Sequence, residues 1–232
     1  MHQHTRAFRR AGRLLALRSA EDRGETAEAV NAMALRPLAP EEYAVFLLDL
    51  CHNETDRHYS RFPEEELETI NALTPGRPLM ERHDLRGSLP RGVFFRSRLH
   101  RENGRVSVRP EVYVLRTPEN AGFIRHIEGG VYRETSIGFA FQKPECVICA
   151  QDIRRCGHTP GQTYDGVTCH YLMRGVKEVI EGSVVPAGSQ GTGFVARGGV
   201  DAEAPTLAMA RRWADPAALA PLTPPERAWA DE

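Results

Sequence analysis

The sequence lacks any apolar run approaching the roughly 20 residues that a membrane-spanning helix needs, and its start lacks the apolar block and cleavage site of a secretory signal. We therefore expect an intracellular protein with no membrane partner. It also lacks an excess of charge of one sign, since 30 Lys and Arg against 31 Asp and Glu give a formal charge of -1. Nucleic-acid binding usually requires a clearly basic surface, so we expect no direct nucleic-acid contact.

No internal repeat is visible, which argues against a repeat architecture. The 232 residues, 41% of them hydrophobic, suffice for one globular core. We expect this domain at residues 41–200, after a leader at 1–40 and before an Ala/Pro-rich tail at 201–232. The leader is basic over 6–18 and acidic over 21–28. We interpret it as short helices outside the core, either mobile or binding a partner protein, and we expect one short helix at 207–213 in the tail.

The local patterns of the domain predict a sheet with few helices. Runs of β-branched and aromatic residues predict strands at 45–50, 92–99, 111–115, 135–141 and 176–185. A helix is predicted at 60–73, with Pro63 in its first turn, and a second helix is predicted between a Thr117 cap and Gly129. Because strands and helices do not alternate regularly, the pattern favours an α+β or barrel-like domain over a doubly wound sheet.

Two residues have the chemistry of a nucleophile and its base. Ser136 starts an apolar segment, Ser-Ile-Gly-Phe-Ala-Phe, and a serine hydroxyl becomes a strong nucleophile only when a neighbouring base takes its proton. His83 follows an apolar pair that predicts a short strand, and an imidazole titrates near neutral pH as a general base must. Read alone, each also fits a turn or surface residue. His52, His58 and His100 are expected at the surface.

Four of the five cysteines crowd into residues 146–169, within a polar segment at 144–170 that follows the Ser136 strand. Two thiolates separated by two residues reach one ion from a tight turn, and further Cys or His ligands complete a tetrahedron around zinc. Five candidate ligands compete for four places: Cys146, Cys149, Cys156, His158 and Cys169. We favour His158 slightly over Cys169 as the fourth. A closed site of this kind predicts structural Zn²⁺; a reduced, metal-free cluster or a redox pair are the alternatives.

The order of these motifs resembles that of tailed-phage prohead proteases, the serine proteases of bacteriophage capsid maturation. The resemblance covers residues 45 to 193 and includes the His83-Asp84 pair, the Gly129-Gly130 turn, the Ser136 segment and the late Glu181-Gly-Ser-Val-Val-Pro-Ala187 stretch. Some sequences of that kind are similar also in the Cys/His insertion. The family is similar in fold to herpesvirus assemblins, which implies a β-barrel core with surrounding helices.

The resemblance implies a catalytic pair of His83 and Ser136 and a third group that orients the imidazole. Glu181 is the candidate, while His126, Asp84 and Asp165 remain alternatives. The implied substrates are the major capsid protein and its scaffold segments, cleaved within the assembling procapsid in the host cytoplasm, and self-association is implied as well. A non-catalytic capsid-assembly or scaffolding protein is the alternative function, and a zinc-knuckle nucleic-acid binder is disfavoured by the neutral charge.

Overall fold

The computed structural model describes residues 20–195, in which three α-helices and ten β-strands occur. The helices are α1 (Ala20–Asn31), α2 (Glu64–Leu73) and α3 (Pro118–Glu128), and Pro40–Glu42 forms a 3-10 turn. The strands are β1 (Tyr43–Leu47), β2 (Cys51–His52), β3 (Ser60–Arg61), β4 (Pro78–Glu81), β5 (Gly92–Glu102), β6 (Arg105–Leu115), β7 (Glu134–Cys146), β8 (Thr163–Tyr164), β9 (Val167–Thr168) and β10 (Tyr171–Val185). The first 19 residues of the leader and the tail at 201–232, with its expected helix at 207–213, lie outside the described residues.

Eight of these strands form one mixed sheet, in the order β1-β6-β5-β4-β10-β3, with β2 added to β6 and β7 added to β10. The longest pairing is antiparallel and joins β7 to β10. β4 and β3 run parallel to β10. β8 and β9 make a separate hairpin. The fold is therefore a mixed α and β structure with a mostly sheet core, which agrees with the α+β expectation.

The described strands do not close into the β-barrel that the resemblance implies. Between β1 and β7, the segment 192–195 forms only isolated bridges, which pair Leu48 with Phe194 and Glu134 with Gly193. The N–H of Asp49 donates to the carbonyl of Gly193 at 2.8 Å, and the N–H of Val195 donates to the carbonyl of Leu47 at 2.8 Å. A short irregular segment thus links the two strands at the place where a barrel would need a paired strand.

Helix α2 starts later than the sequence predicts. Ser60–Arg61 is strand β3, and Pro63 is the extended N-cap residue rather than part of the first turn. A proline disfavours helical backbone in the residue before it, so the helix can begin only after this point. Leu67 and Ile70 are fully buried in a cluster with side chains of β6 and β10. The Glu66 carboxylate accepts the N–H groups of Gly175 and Val176 at 2.7 and 2.8 Å, which fixes α2 to β10.

Helix α3 confirms the prediction at both ends. It begins at Pro118 after the Thr117 N-cap residue, although the Thr117 side chain makes no capping hydrogen bond. It ends at Gly129, whose N–H donates to the carbonyl of Arg125 at 2.8 Å. Its apolar side packs into the core through Phe123, Ile124 and Ile127. Gly130, with a φ of 67°, then turns the chain toward β7.

The leader was expected to lie outside the core, but the end of helix α1 packs into it. Val30 is fully buried in a cluster with Leu38, Tyr43, Phe95 and Tyr113. This part of the leader therefore covers one side of β5 and β6. Across residues 20–195, no helix combines the length and the apolar character needed to span a bilayer.

Candidate active site and metal centre

The pairing of β7 with β10 places two predicted site residues, Ser136 and Glu181, and the residues opposite them on one face of the sheet. In this register Ser136 lies opposite Ser183, and Gly138 lies opposite Glu181. Directly opposed residues of an antiparallel pair point to the same side, and so do alternate residues along each strand. The serine and the glutamate, 45 positions apart in the sequence (181 − 136), therefore share a face of the sheet.

His83 hydrogen bonds with Glu181. The Nδ1 of His83 lies 2.5 Å from the Oε1 of Glu181, whose side chain is almost completely buried, whereas the His83 side chain is 40% exposed. β4 carries the histidine to this place because it runs parallel to β10 and ends just before it, at Glu81. Arg82 and His83 both have a φ of 58°. Positive φ in two successive non-glycine residues is strained backbone, which is found preferentially at functional sites.

Ser183 completes this arrangement and is a residue that the sequence analysis missed. Its fully buried hydroxyl donates to the Oε2 of Glu181 at 2.5 Å and accepts the backbone N–H of His83 at 3.0 Å. One hydroxyl thus holds both the carboxylate and the strained turn that presents the imidazole. The signal was present in the sequence, because Glu181 and Ser183 are separated by two positions, which places both on one face of a strand.

Gly138 provides the space that the Glu181 carboxylate occupies. A Cβ at this position would lie closer than 3.0 Å to the Oε1 of Glu181, and 3.1 Å from its Cδ. Any larger residue would therefore displace the carboxylate from His83. The glycine two positions after Ser136 has a steric function that its place in the sequence did not reveal.

The Ser136 hydroxyl has no hydrogen-bond partner among residues 20–195, and His83 is not within hydrogen-bonding distance of it. The residue is half-buried. Asp84, one alternative third group, accepts the N–H of Gly87 at 2.6 Å in its own loop. The other two alternatives lie elsewhere: His126 packs on Tyr132 with ring centroids 5.0 Å apart, and Asp165 is in the turn between β8 and β9. Of the four candidates, the structure brings Glu181 to His83.

The cysteine-rich segment forms a compact set of ligands. The ligand atoms of Cys146, Cys149, Cys156 and His158 all lie within 4.8 Å of one another. The Sγ of Cys146 is 3.7 Å from the Nδ1 of His158. A tetrahedral zinc with Zn–S bonds of about 2.3 Å separates its sulfur ligands by about 3.8 Å. The donor set and its spacing therefore fit a metal ion with only small adjustments.

Cys169, the fifth candidate ligand, lies beside this set but not in it. Its Sγ is 4.0 Å from that of Cys146, and its side chain is completely buried. Burial, together with the neighbouring Cys146, raises the pKa of the Cys169 thiol to about 11. Burial also opposes ionisation of Cys146, but hydrogen bonds from the N–H groups of Cys149 and Ile148 and from the Cys149 and Cys156 thiols together lower the pKa of that thiol. Of the two thiols, Cys146 is the one that lies within the four-ligand set.

All five cysteines are free thiols. Cys146 is the last residue of β7 and lies opposite Tyr171, the first residue of β10. The ligand set is therefore held at the end of the same two strands that carry Ser136 and Glu181. Within the described residues, none of the hydrophobic clusters includes a side chain from 147–170.

One histidine expected at the surface is buried. The His52 ring donates from Nε2 to the carbonyl of Gln190 at 3.1 Å and accepts the N–H of Glu54 at Nδ1, also at 3.1 Å. Burial lowers the pKa of this imidazole. The hydrogen bond to Gln190 joins β2 to the segment after β10, and the bond from Glu54 is local, so both have a structural role.

Comparison of the chain with protein-family models, with curated proteins and with solved structures gives no match.

Proposed function

We propose that the chain is a serine endopeptidase of the prohead-protease type, with Ser136 as nucleophile, His83 as general base and Glu181 as the acid that orients the imidazole. The observation that carries this proposal is the His83–Glu181 hydrogen bond on the face of β7 and β10 that also carries Ser136. A serine, a histidine and a buried carboxylate are the groups of a hydrolytic triad.

The reaction follows from the roles of these atoms. Glu181 accepts a hydrogen bond from the Nδ1–H of His83, which fixes the tautomer in which the Nε2 of the neutral ring is free to take the Ser136 proton. The serine oxygen attacks a peptide carbonyl, and His83 then gives the proton to the leaving amine. A water molecule releases the acyl group from the serine by the same route. The buried carboxylate stabilises the imidazolium that forms in each step.

The order of the sequence motifs supports an assemblin-like core, with its sheet open between β1 and β7, as the finer description of the fold. The bridges of segment 192–195 to both β1 and β7 fit such an architecture, in which one pairing is reduced to a few hydrogen bonds.

We propose structural Zn²⁺ as the metal of the cysteine-rich segment. Three thiols and one imidazole are borderline-soft ligands of the kind that select zinc. Four protein ligands leave no open position for water, so the ion would stabilise the segment and take no part in hydrolysis. This suits a segment whose side chains are absent from the hydrophobic clusters of residues 20–195.

The proposed substrates are the major capsid protein and its scaffold segments, cleaved inside the procapsid in the host cytoplasm, with self-association of the protease. These proposals rest on the order of the sequence motifs.

A non-catalytic assembly protein is the second candidate function. It is favoured by one observation: the Ser136 hydroxyl has no hydrogen-bond partner in the described part of the chain. Hydrogen bonds of a catalytic serine are often long before substrate binds, and for this reason we rank it second.

Two experiments distinguish the candidates. The protein is treated with a fluorophosphonate, which forms a covalent adduct with an activated serine, and the adduct is located by peptide mass spectrometry. We expect labelling at Ser136 that is lost in His83→Ala and retained in Ser97→Ala, a serine on β5. In co-expression with the cognate capsid protein, Ser136→Ala should abolish processing. An unlabelled wild-type protein, together with capsid processing that is the same with Ser136→Ala as with the wild type, would refute Ser136 as the nucleophile and favour the non-catalytic candidate.

A further inference from the structure

A turn at residues 56–60, which leads into β3, contacts the cysteine-rich segment. The ring of Tyr59 lies on Gly161 of that segment, where a Cβ would be 2.7 Å from Cε2 of the ring and 2.8 Å from its Cζ. Such distances are too short for non-bonded carbon atoms, so only glycine leaves room for the ring. The N–H of Tyr171, just after the segment, donates to the carbonyl of Tyr59 at 2.9 Å. The turn thus rests on the segment through both the ring and the backbone of Tyr59.

Turn 56–60 is closed by hydrogen bonds, but one of its residues is strained. All five of its N–H groups donate: Asp56 to the carbonyl of Ser60, Arg57 to that of Ser189, Tyr59 to that of Asp56, and His58 and Ser60 to the Asp56 carboxylate. Tyr59 has a φ of 59°, which a residue with a large side chain rarely adopts. Such a conformation persists only where the surrounding structure holds it, and Gly161 is part of that surrounding structure.

The same turn lines a pocket beside the proposed nucleophile. Asp56 and Ser60 line this pocket together with Ser136. Ser189 lies on its wall as well, and the N–H of Arg57 in the turn donates to the Ser189 carbonyl at 3.3 Å. A displacement of the turn would therefore change the shape of the pocket that contains Ser136.

The metal ligands lie close to the part of the segment that supports Tyr59. Gly161 follows the ligand His158 by three positions, and its N–H donates to the carbonyl of Cys169 at 2.8 Å. None of the hydrophobic clusters of the described residues includes a side chain from 147–170. A segment without an apolar core depends on its metal–ligand bonds for a fixed conformation. The support that Gly161 gives to Tyr59 therefore depends on the metal.

We propose that metal binding in the cysteine-rich segment controls the order of turn 56–60, and with it the shape of the pocket beside Ser136, through the contact of Tyr59 with Gly161. Tyr59 is a positioning residue in this scheme, since it is neither a ligand nor one of the three proposed catalytic groups. The inference rests on the proposed zinc site and describes a regulation of the proposed active site. It does not require that Ser136 is a nucleophile, so the two proposals can fail separately.

Hydrogen–deuterium exchange measured by mass spectrometry tests this coupling without any substrate. The full-length protein loaded with Zn²⁺ is compared with the same protein after the metal has been removed by a chelator. Because all five N–H groups of turn 56–60 donate hydrogen bonds, they exchange only when the turn opens. We expect zinc removal to raise their exchange rate by at least about tenfold, which corresponds to about 1.4 kcal/mol of local stability. The N–H groups of helix α3 should keep their exchange rate.

Tyr59→Asn tests whether the ring transmits the effect. Asparagine tolerates a positive φ, so this variant removes the ring and leaves the backbone conformation accessible. Its zinc content should equal that of the wild type, but turn 56–60 should exchange rapidly both with and without zinc. His58→Asn is the matched control, because His58 is an exposed side chain of the same turn. Its exchange should respond to zinc as that of the wild type does.

The proposal is overturned if zinc removal leaves exchange in turn 56–60 unchanged, if helix α3 responds as strongly as the turn, or if Tyr59→Asn responds to zinc as the wild type does. The wild-type comparison decides even if Tyr59→Asn does not fold. A protein that binds no zinc overturns both the zinc site and this inference. Fluorophosphonate labelling of Ser136 on the same samples should slow when zinc is removed. A wild type that is not labelled at all would count against the protease function only, since the exchange data decide the coupling.

Discussion

Gly138→Ala should separate the Glu181 carboxylate from His83 while changing only one methyl group. The added Cβ would lie closer than 3.0 Å to the Oε1 of Glu181, and 3.1 and 3.3 Å from its Cδ and Cγ. Non-bonded carbon and oxygen atoms need about 3.4 Å or more, so the carboxylate must retreat by about 1 Å. The Nδ1–Oε1 distance of 2.5 Å would then exceed the range of a hydrogen bond.

The expected loss of reactivity follows from this displacement. A misplacement of about 1 Å in a catalytic arrangement costs about 100-fold in rate, and loss of the acid of a triad costs about 10⁴-fold. We therefore expect the rate of fluorophosphonate labelling at Ser136 to fall by at least about 100-fold. The low-field proton resonance of the His83 Nδ1–H should disappear as well, a readout that requires no substrate.

The matched control is Gly122→Ala in helix α3, where an added Cβ has no atom within 4 Å. It adds the same methyl group and should leave labelling unchanged. Circular dichroism should show that both variants remain folded. A folded Gly138→Ala protein that labels at the wild-type rate would refute the conclusion that Glu181 acts through His83.

Three further predictions follow from the structure. Ser183→Ala removes a hydrogen bond to a charged group, so Ser136 labelling should slow by about 10- to 100-fold with the fold retained, as measured by the same assay. The wild type should contain about one equivalent of zinc by mass spectrometry. The zinc content of Cys146→Ser should be below about half an equivalent, and its melting temperature should be lower than that of the wild type, whereas Cys169→Ser should keep the metal. Burial lowers the pKa of His52 below its ordinary 6.5, so the unfolded chain takes up the proton first as the pH falls. Urea denaturation should therefore show that the free energy of unfolding decreases from about pH 7 to about pH 5. In His52→Gln this decrease should be less steep.

The sequence predicts local structure best where single residues determine the backbone. Pro118 and Gly129 define helix α3 to within a residue, because proline is suited to the first turn and glycine to the end of a helix. The sequence pattern predicts Pro63 inside helix α2, whereas the restriction that this proline imposes on the preceding residue delays the helix start to Glu64. β6 was predicted only from residue 111, because Arg105, Arg109 and Pro110 do not resemble strand residues. Asp49 forms ion pairs with both arginines, at 2.9 Å from Arg105 and at 3.9 Å from Arg109.

The site depends on contacts that spacing along the chain does not contain. His83 and Glu181 meet because β4 runs parallel to β10, a pairing between segments about a hundred positions apart. Only the order of motifs related His83 to Ser136 in the sequence. Ser183 and the steric function of Gly138 became apparent once the register of β7 and β10 was known. The candidate ligands are close in sequence, and for this reason the sequence predicted every member of the four-ligand set, with Cys169 as a fifth candidate.

The direct pairing of Cys146 with Tyr171 has a consequence for the architecture of the chain. The two strands are already adjacent where segment 147–170 leaves and re-enters the sheet. A tight turn of a few residues would connect them equally well, as in an ordinary hairpin. We therefore expect the cysteine-rich segment to be a separable module, which can be shortened, exchanged or removed in an engineered chain without altering the register that sets Ser136 opposite Ser183 and Gly138 opposite Glu181.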